Sequence, residues 1–236
     1  MRNTLILLAV SAALALGGCG LLDMNDGGIT ITLPAQEFDF DLDANQAKAQ
    51  LQAYLATQPP PLNSLDLTNQ TEIPAEVCAG GTCVPVPRIQ ETLEFETPAQ
   101  QIDLRDEPDL KNYIQAGKVK KVNIDYIEYQ VATNTLNFNL PALELFLDDH
   151  GTTSVQPDSA KIARLPEIAA GATPSNRVQF TVDGRQLMSD YLIQDFAFAF
   201  MAQGALGFDT NVTRTIPGGR LVGKVTVQVS FQVDPL

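Results

Sequence analysis

The chain has no tryptophan, one histidine, three cysteines and only 15 Lys and Arg to set against 28 Asp and Glu. Each shortage excludes something. Without indole rings and with few other aromatics there is little surface on which to grip a sugar, although 28 acids leave a glycosidase's carboxylate pair open by count. A single histidine, His150, cannot supply a histidine-rich metal centre. The formal charge of −13 repels polyanions, so DNA and RNA are excluded as partners. There is no Gly-x-Ser-x-Gly turn, no phosphate loop and no dinucleotide fingerprint; Gly204-Ala-Leu-Gly207 and Pro217-Gly218-Gly219 are isolated turn signals. After Cys19 no apolar run is long enough to span a bilayer.

What the sequence does have begins at its N-terminus. Arg2 supplies a positive charge, and Leu5 to Leu16 is apolar except for Ser11. Twelve helical residues reach only about 18 Å, well short of a hydrocarbon core of roughly 30 Å. The run therefore reads as the core of a signal peptide, with small Gly17 and Gly18 before the cleavage point. Leu16-Gly17-Gly18-Cys19 resembles the lipobox of bacterial lipoproteins. The resemblance implies cleavage before Cys19, a diacylglycerol on its sulfur and acylation of the new amino group. Two or three acyl chains supply the dual anchoring that one chain cannot. An ordinary secretory signal followed by a coincidental cysteine is the alternative. In double-membrane bacteria an aspartate directly after the cysteine retains such proteins at the inner membrane. Gly20 stands there, so the resemblance implies a cell-envelope protein anchored at the outer membrane.

Removing residues 1–18 leaves 218 residues, enough for one large β-rich domain or two small ones. Arg2 goes with them, so the formal charge becomes −14. Residues 19–28 read as the lipidated cysteine and a polar tether, 29–118 as a β/α region and 119–236 as a β-sandwich. Cys78-Ala-Gly-Gly-Thr-Cys83 closes a small ring across two glycines, and outside the cytoplasm a disulfide is its simplest reading. A metal site would need more ligands, and a redox pair is more usually spaced by two residues at a helix start. No metal or cofactor is expected.

Ile29 to Leu33, Phe38 to Leu42 and Ile89 to Phe95 read as strands. Asp43 is placed to cap a helix with Ala47, Leu51, Tyr54 and Leu55 on one face. Six of fifteen prolines fall in residues 57–88, which predicts an extended loop clasped by the disulfide. A helix is expected near Glu107 to Ala116, capped by Asp106, with Leu110, Tyr113 and Ile114 inward. Another is expected after Asp183, with Leu187, Met188, Tyr191 and Leu192 inward.

In Val119 to Val131 the inward phase passes from Val122 and Ile124 to Ile127, Tyr129 and Val131, a flip that needs an extra residue or a bend. Leu136 to Leu147 flips across Pro141. With a turn at Thr133 and Asn134 the two flips coincide, which predicts one long bent hairpin. Val178, Phe180 and Val182 alternate as a strand. So do Leu221, Val225, Val227, Val229, Phe231 and Val233, and one wet face means antiparallel pairing. The expected fold is mainly β, an antiparallel β-sandwich with a few short peripheral helices. At the level of the fold it resembles the stress-associated LEA-type sandwich domains. The Asn-Pro of that family is Asn134-Thr135 here, and no function is transferred.

Candidates for chemistry are few. Asp39, Asp41 and Asp43 are spaced as in a calcium loop, yet both registers of an EF-hand lack its glycine and its closing glutamate. Strand alternation explains the spacing, with the rings and Leu42 inward and the acids in water. Asp148-Asp149-His150-Gly151 could act as acid, base or ligand only with help from a distant group such as Asp158; otherwise it is a polar turn. Phe196, Phe198 and Phe200 form an apolar stripe that is either core strand or the wall of a lipid cavity. The expected protein is a non-catalytic, membrane-anchored envelope lipoprotein whose sandwich makes structural or protein contacts. Its alternative is a carrier of an apolar ligand using Phe196, Phe198 and Phe200.

Overall fold

Two long strands organise the molecule, each flanked on one side by two shorter strands that are broken apart at a proline. The computed structural model describes residues 23–25 and 28–235. In chain order these form β1 (Asp23–Asn25), β2 (Gly28–Thr32), β3 (Gln36–Asp43), α1 (Asn45–Ala56), β4 (Glu76–Ala79), β5 (Thr82–Pro85), β6 (Gln90–Glu96), β7 (Gln100–Asp103), α2 (Lys111–Gln115), β8 (Val119–Asn134), β9 (Leu143–Asp149), β10 (Ala160–Leu165), β11 (Ser175–Arg177), β12 (Gln179–Phe180), α3 (Gly184–Gln194), β13 (Ala197–Asp209) and β14 (Arg220–Val233). No described helix is long and apolar enough to cross a membrane.

The first sheet has the order β1-β2-β14-β8-β11, with β3 also on β14. β3 pairs with residues 220–227 of β14 and β2 with residues 230–233, end to end on one side. Pro34 lies in the gap, where its missing N–H cannot join a ladder. The second sheet has the order β12-β10-β9-β13-β6, with β7 also on β13. β6 and β7 share one side of β13 as β2 and β3 share one side of β14, and Pro98 marks the break. Thr97 bridges it, exchanging backbone bonds of 2.9 Å with Ala202 through its N–H and its Oγ1. All sandwich pairings are antiparallel. Residues 29–118 and 119–236 contribute strands to both sheets and share one hydrophobic core.

The phase flip near Tyr126 is present, and its cause is a β-bulge. Gln228 sits opposite Tyr126 and Val229 opposite Ile124, so Asp125 has no partner and the inward set changes from Val122 and Ile124 to Ile127, Tyr129 and Val131. The bent hairpin is not formed. β8 pairs with β14 and β11, whereas β9 pairs with β10 and β13. The chain leaves the first sheet after Asn134, crosses through residues 135–142 and enters the second at Leu143, so the flip across Pro141 is a change of sheet. Alternation reports which face is buried, and both kinds of event change it equally.

Four smaller expectations also change. The strand at Val178 to Val182 is cut to Gln179–Phe180, and Val182 is fully exposed. The helix expected from Glu107 starts at Lys111, after turns that leave Leu110 buried. Leu187 is exposed on α3, and Ser189 takes an inward place instead, donating to the Val122 carbonyl at 2.6 Å. Asp43 makes no cap on α1; it accepts from the Asn45 N–H at 2.9 Å in a turn just before the helix.

α1 buries Ala47, Leu51 and Leu55 and turns Gln46 and Gln50 onto the outer edge of β6. Gln50 accepts from the Glu94 N–H at 2.9 Å and donates to the Glu94 carbonyl at 2.7 Å. Gln46 makes the same pair with Glu96, both at 3.4 Å. Four residues of helix rise about 6 Å and two residues of strand about 6.8 Å. The two side-chain amides therefore stand where a neighbouring strand would be, and the edge is closed to other chains. On the first sheet, β11 covers the second half of β8, while Ser189 and Arg185 of α3 bond the Val122 and Ile124 carbonyls of its first half.

Candidate functional site

Cys19, the predicted lipidation site, lies outside the described residues. Cys78 and Cys83 are bonded to each other. They face one another across the β4–β5 hairpin, whose turn residues Gly80 and Gly81 have φ of +59° and +83°. Two consecutive positive φ values suit a two-residue turn that matches strand twist, and only glycine adopts both freely. Glu76 brings a carboxylate beside the sulfurs. With both sulfurs in the disulfide, this exposed group offers a cation one carboxylate and no thiolate.

The three phenylalanines have different surroundings. Phe198 and Phe200 are buried on the inner face of β13. The opposite face is also covered, since Ala197, Ala199 and Met201 are buried as well. Loop 150–159 is tied across that side by Val155 N–H to Glu96 at 2.6 Å and by Gln101 to Gly151 and Thr152. Phe196 lies outside the strand. Its φ is +55° and its N–H returns to the Leu192 carbonyl at 3.2 Å, so it occupies the left-handed position that ends α3. Between the sheets, Phe200 shares with Phe38, Phe40, Leu145, Leu165 and Val225 a space of about 30 Å³. That is room for about two waters, against roughly 300 Å³ or more for a drug-sized ligand.

Asp148, Asp149 and His150 lie at the end of β9 and in the turn that follows. Asp148 accepts from the Asp149 N–H at 2.7 Å, from Thr152 Oγ1 at 3.3 Å and from Ser159 Oγ. Its oxygens are thus occupied in fixing loop 150–159. Asp149 accepts from the Tyr191 hydroxyl at 3.2 Å, and burial, helped by this carboxylate, pushes the phenol up to about 12. His150 is exposed. Ser159, Thr152 and Tyr191 carried no sequence signal, because each reaches the acidic pair from a distant or looped segment. Asp39 and Asp41 point outward from β3, where Asp41 pairs with Arg220 and Glu37 with Lys224 on β14.

Two further ion pairs, one local to the end of β7 and one joining the segment before β6 to the end of β13, carry a pH dependence. Arg105 donates to Asp103 at 2.6 and 2.9 Å, and Arg88 reaches Asp209 through Nε at 3.0 Å and through Nη2. Hydrogen bonding from each guanidinium holds its carboxyl at about 2. Unfolded aspartate titrates near 3.9, so these pairs stabilise the fold fully above that value and lose their contribution as pH falls through about 2. Both are solvent-exposed, so each contribution is small. Thermal melts at fixed ionic strength are expected to be insensitive to these pairs at neutral pH and to fall between about pH 4 and 2. Asp209→Asn is expected to flatten part of that acid limb.

The described chain defines an antiparallel β-sandwich with three short helices, an edge of β6 closed by α1 and one disulfide-clasped surface hairpin. No family model matches the chain, and no curated protein matches it. Among solved structures, a chain of Desmodium yellow mottle tymovirus is 8% identical and covers 73% of this chain and 96% of that chain, with a TM-score of 0.23. At that score the likeness carries no argument. The folded part is not matched to a characterised family.

Proposed function

We propose that this protein is a membrane-anchored lipoprotein of the bacterial cell envelope, fixed through Cys19 and presenting its sandwich for structural or protein contacts without catalysis. One observation carries the reading. A basic residue, a short apolar core and Leu16-Gly17-Gly18-Cys19 stand in order, and the first described strand begins four residues beyond the cysteine. The spacing leaves no room for a further span. Gly20 favours the outer membrane where the cell has one. The small volume beside Phe200 favours a scaffold over a carrier of acyl chains. The occupied oxygens of Asp148 and the exposure of His150 likewise favour a polar turn over a catalytic cluster.

Cys19→Ser tests the anchor. The substitution is expected to move the protein from the membrane fraction to the soluble one and to remove the mass of the acyl groups from the mature chain. An unchanged membrane fraction together with an unchanged mass overturns the reading.

A further inference from the structure

We infer that the protein lies on the lipid surface by one particular side, the edge of the first sheet formed by β1, β2 and β3. The inference rests on the anchor proposed at Cys19. Four residue steps separate Cys19 from Asp23, and a chain spans at most about 3.6 Å per residue, so the acyl groups attach within about 14 Å of Asp23. Asp23 is not at an arbitrary point. It opens β1, the outermost strand of the sheet, and β3 continues the same side in line with β2.

That side also carries an edge that the fold leaves open, as do β7 and β12 of the second sheet among the described residues. The edge of β6 is closed by the amides of Gln46 and Gln50, and the edge of β8 by β11, Arg185 and Ser189. β3 pairs only with β14, and among the described residues no strand lies on its outer edge. Phe38 and Phe40 are half-buried there, at the border of the space between the sheets. In water an open strand edge beside half-buried rings invites pairing with other chains. Against a membrane the same side is shielded. The unpaired N–H and C=O groups of β3 cannot enter hydrocarbon, so the contact lies at the headgroups, where rings and water-bonded backbone are both tolerated. Charge opposes this placement only in part: of the four carboxylates of β3, Glu37 and Asp41 are paired with Lys224 and Arg220, and Asp39 and Asp43 are not.

The opposite side of the sheet supplies the control. Val182 is fully exposed at the start of α3, which packs beyond β8. From β1 to β8 is three strand spacings, about 14 Å, and α3 adds further distance.

Because the chain contains no tryptophan, a single introduced indole is the sole reporter of its kind. The lipidated full chain carrying Phe38→Trp, or Val182→Trp, is added to preformed phosphatidylglycerol and phosphatidylethanolamine vesicles containing a headgroup-nitroxide lipid, and binding is scored by flotation. Gln36→Trp serves as a second reporter on β3 should the Phe38 variant unfold. With floating protein, the β3 indole is expected to lose more than half its emission and the Val182→Trp indole very little. Equal quenching of the two, or stronger quenching at position 182, overturns the orientation while leaving the anchor standing. Failure of every lipidated variant to float overturns the anchor itself.

Discussion

Gly184→Ala is expected to destabilise the protein by at least about 3 kcal/mol, the upper end of what overpacking costs. Gly184 is the first residue of α3, and a Cβ there would fall 1.7 Å from the Ile162 carbonyl oxygen and 2.6 Å from Thr181 Oγ1. Neither atom is free to yield. The Ile162 carbonyl on β10 accepts both the Thr181 N–H at 2.9 Å and the Thr181 hydroxyl at 3.1 Å. The helix would have to retreat by more than an ångström, taking Met188 and Leu192 out of the core and loosening Ser189 and Arg185 from β8. For a domain of this size each kcal/mol moves the melting temperature by about 2–4 °C, so a fall of roughly 6–12 °C is expected. Gly207→Ala is the control. A Cβ there meets nothing within 4 Å, and its melting temperature is expected to stay near that of the parent. A Gly184→Ala protein that melts like the parent would show that α3 does not dock this closely.

Phe95→Ala is expected to cost about 3–5 kcal/mol. The ring is fully buried on β6 and stacks on Phe138 with centroids 5.6 Å apart and planes 24° from parallel. Phe138 belongs to the crossover that carries the chain from β8 to β9, so the pair fastens the crossover to the second sheet. Removing the ring leaves a cavity and also releases Phe138. A double-mutant cycle in urea with Phe95→Ala and Phe138→Ala is expected to give a coupling of about 0.5–1.5 kcal/mol. A coupling near zero would mean that the two rings are merely neighbours.

The elements most legible in the sequence were those in which one residue pattern has one physical cause. β14 alternates cleanly over its whole length because a single face is buried, and the structure gives that strand without a break in phase. α1 was legible from Ala47, Leu51 and Leu55, and the disulfide from two cysteines flanking paired glycines. The acids of β3 read correctly as the wet side of a strand, since the carboxylates alternate with Phe38, Phe40 and Leu42. The bent hairpin failed for a definable reason. Alternation states which residues face inward, but it carries no information on the partner strand, and β8 and β9 went to different sheets. Phe196 belongs to the phenylalanine stripe of the sequence but not to the strand, because hydropathy does not register a left-handed φ. The glutamines of α1 had no signature either, since their function depends on an edge formed some fifty residues later.

By itself the sequence determined properties that depend on local chemistry: the short apolar run ending at Cys19, the net negative charge, the faces of the long strands and the bonded cysteine pair. Tertiary structure alone decided which strands became neighbours, that Pro34 and Pro98 each split one side of a sheet, that α1 closes one edge while β3 stays open, and that little space remains around Phe200. These are outcomes of packing between segments far apart in the chain. Such contacts are selected by the complementarity of both partners at once, which no single segment contains.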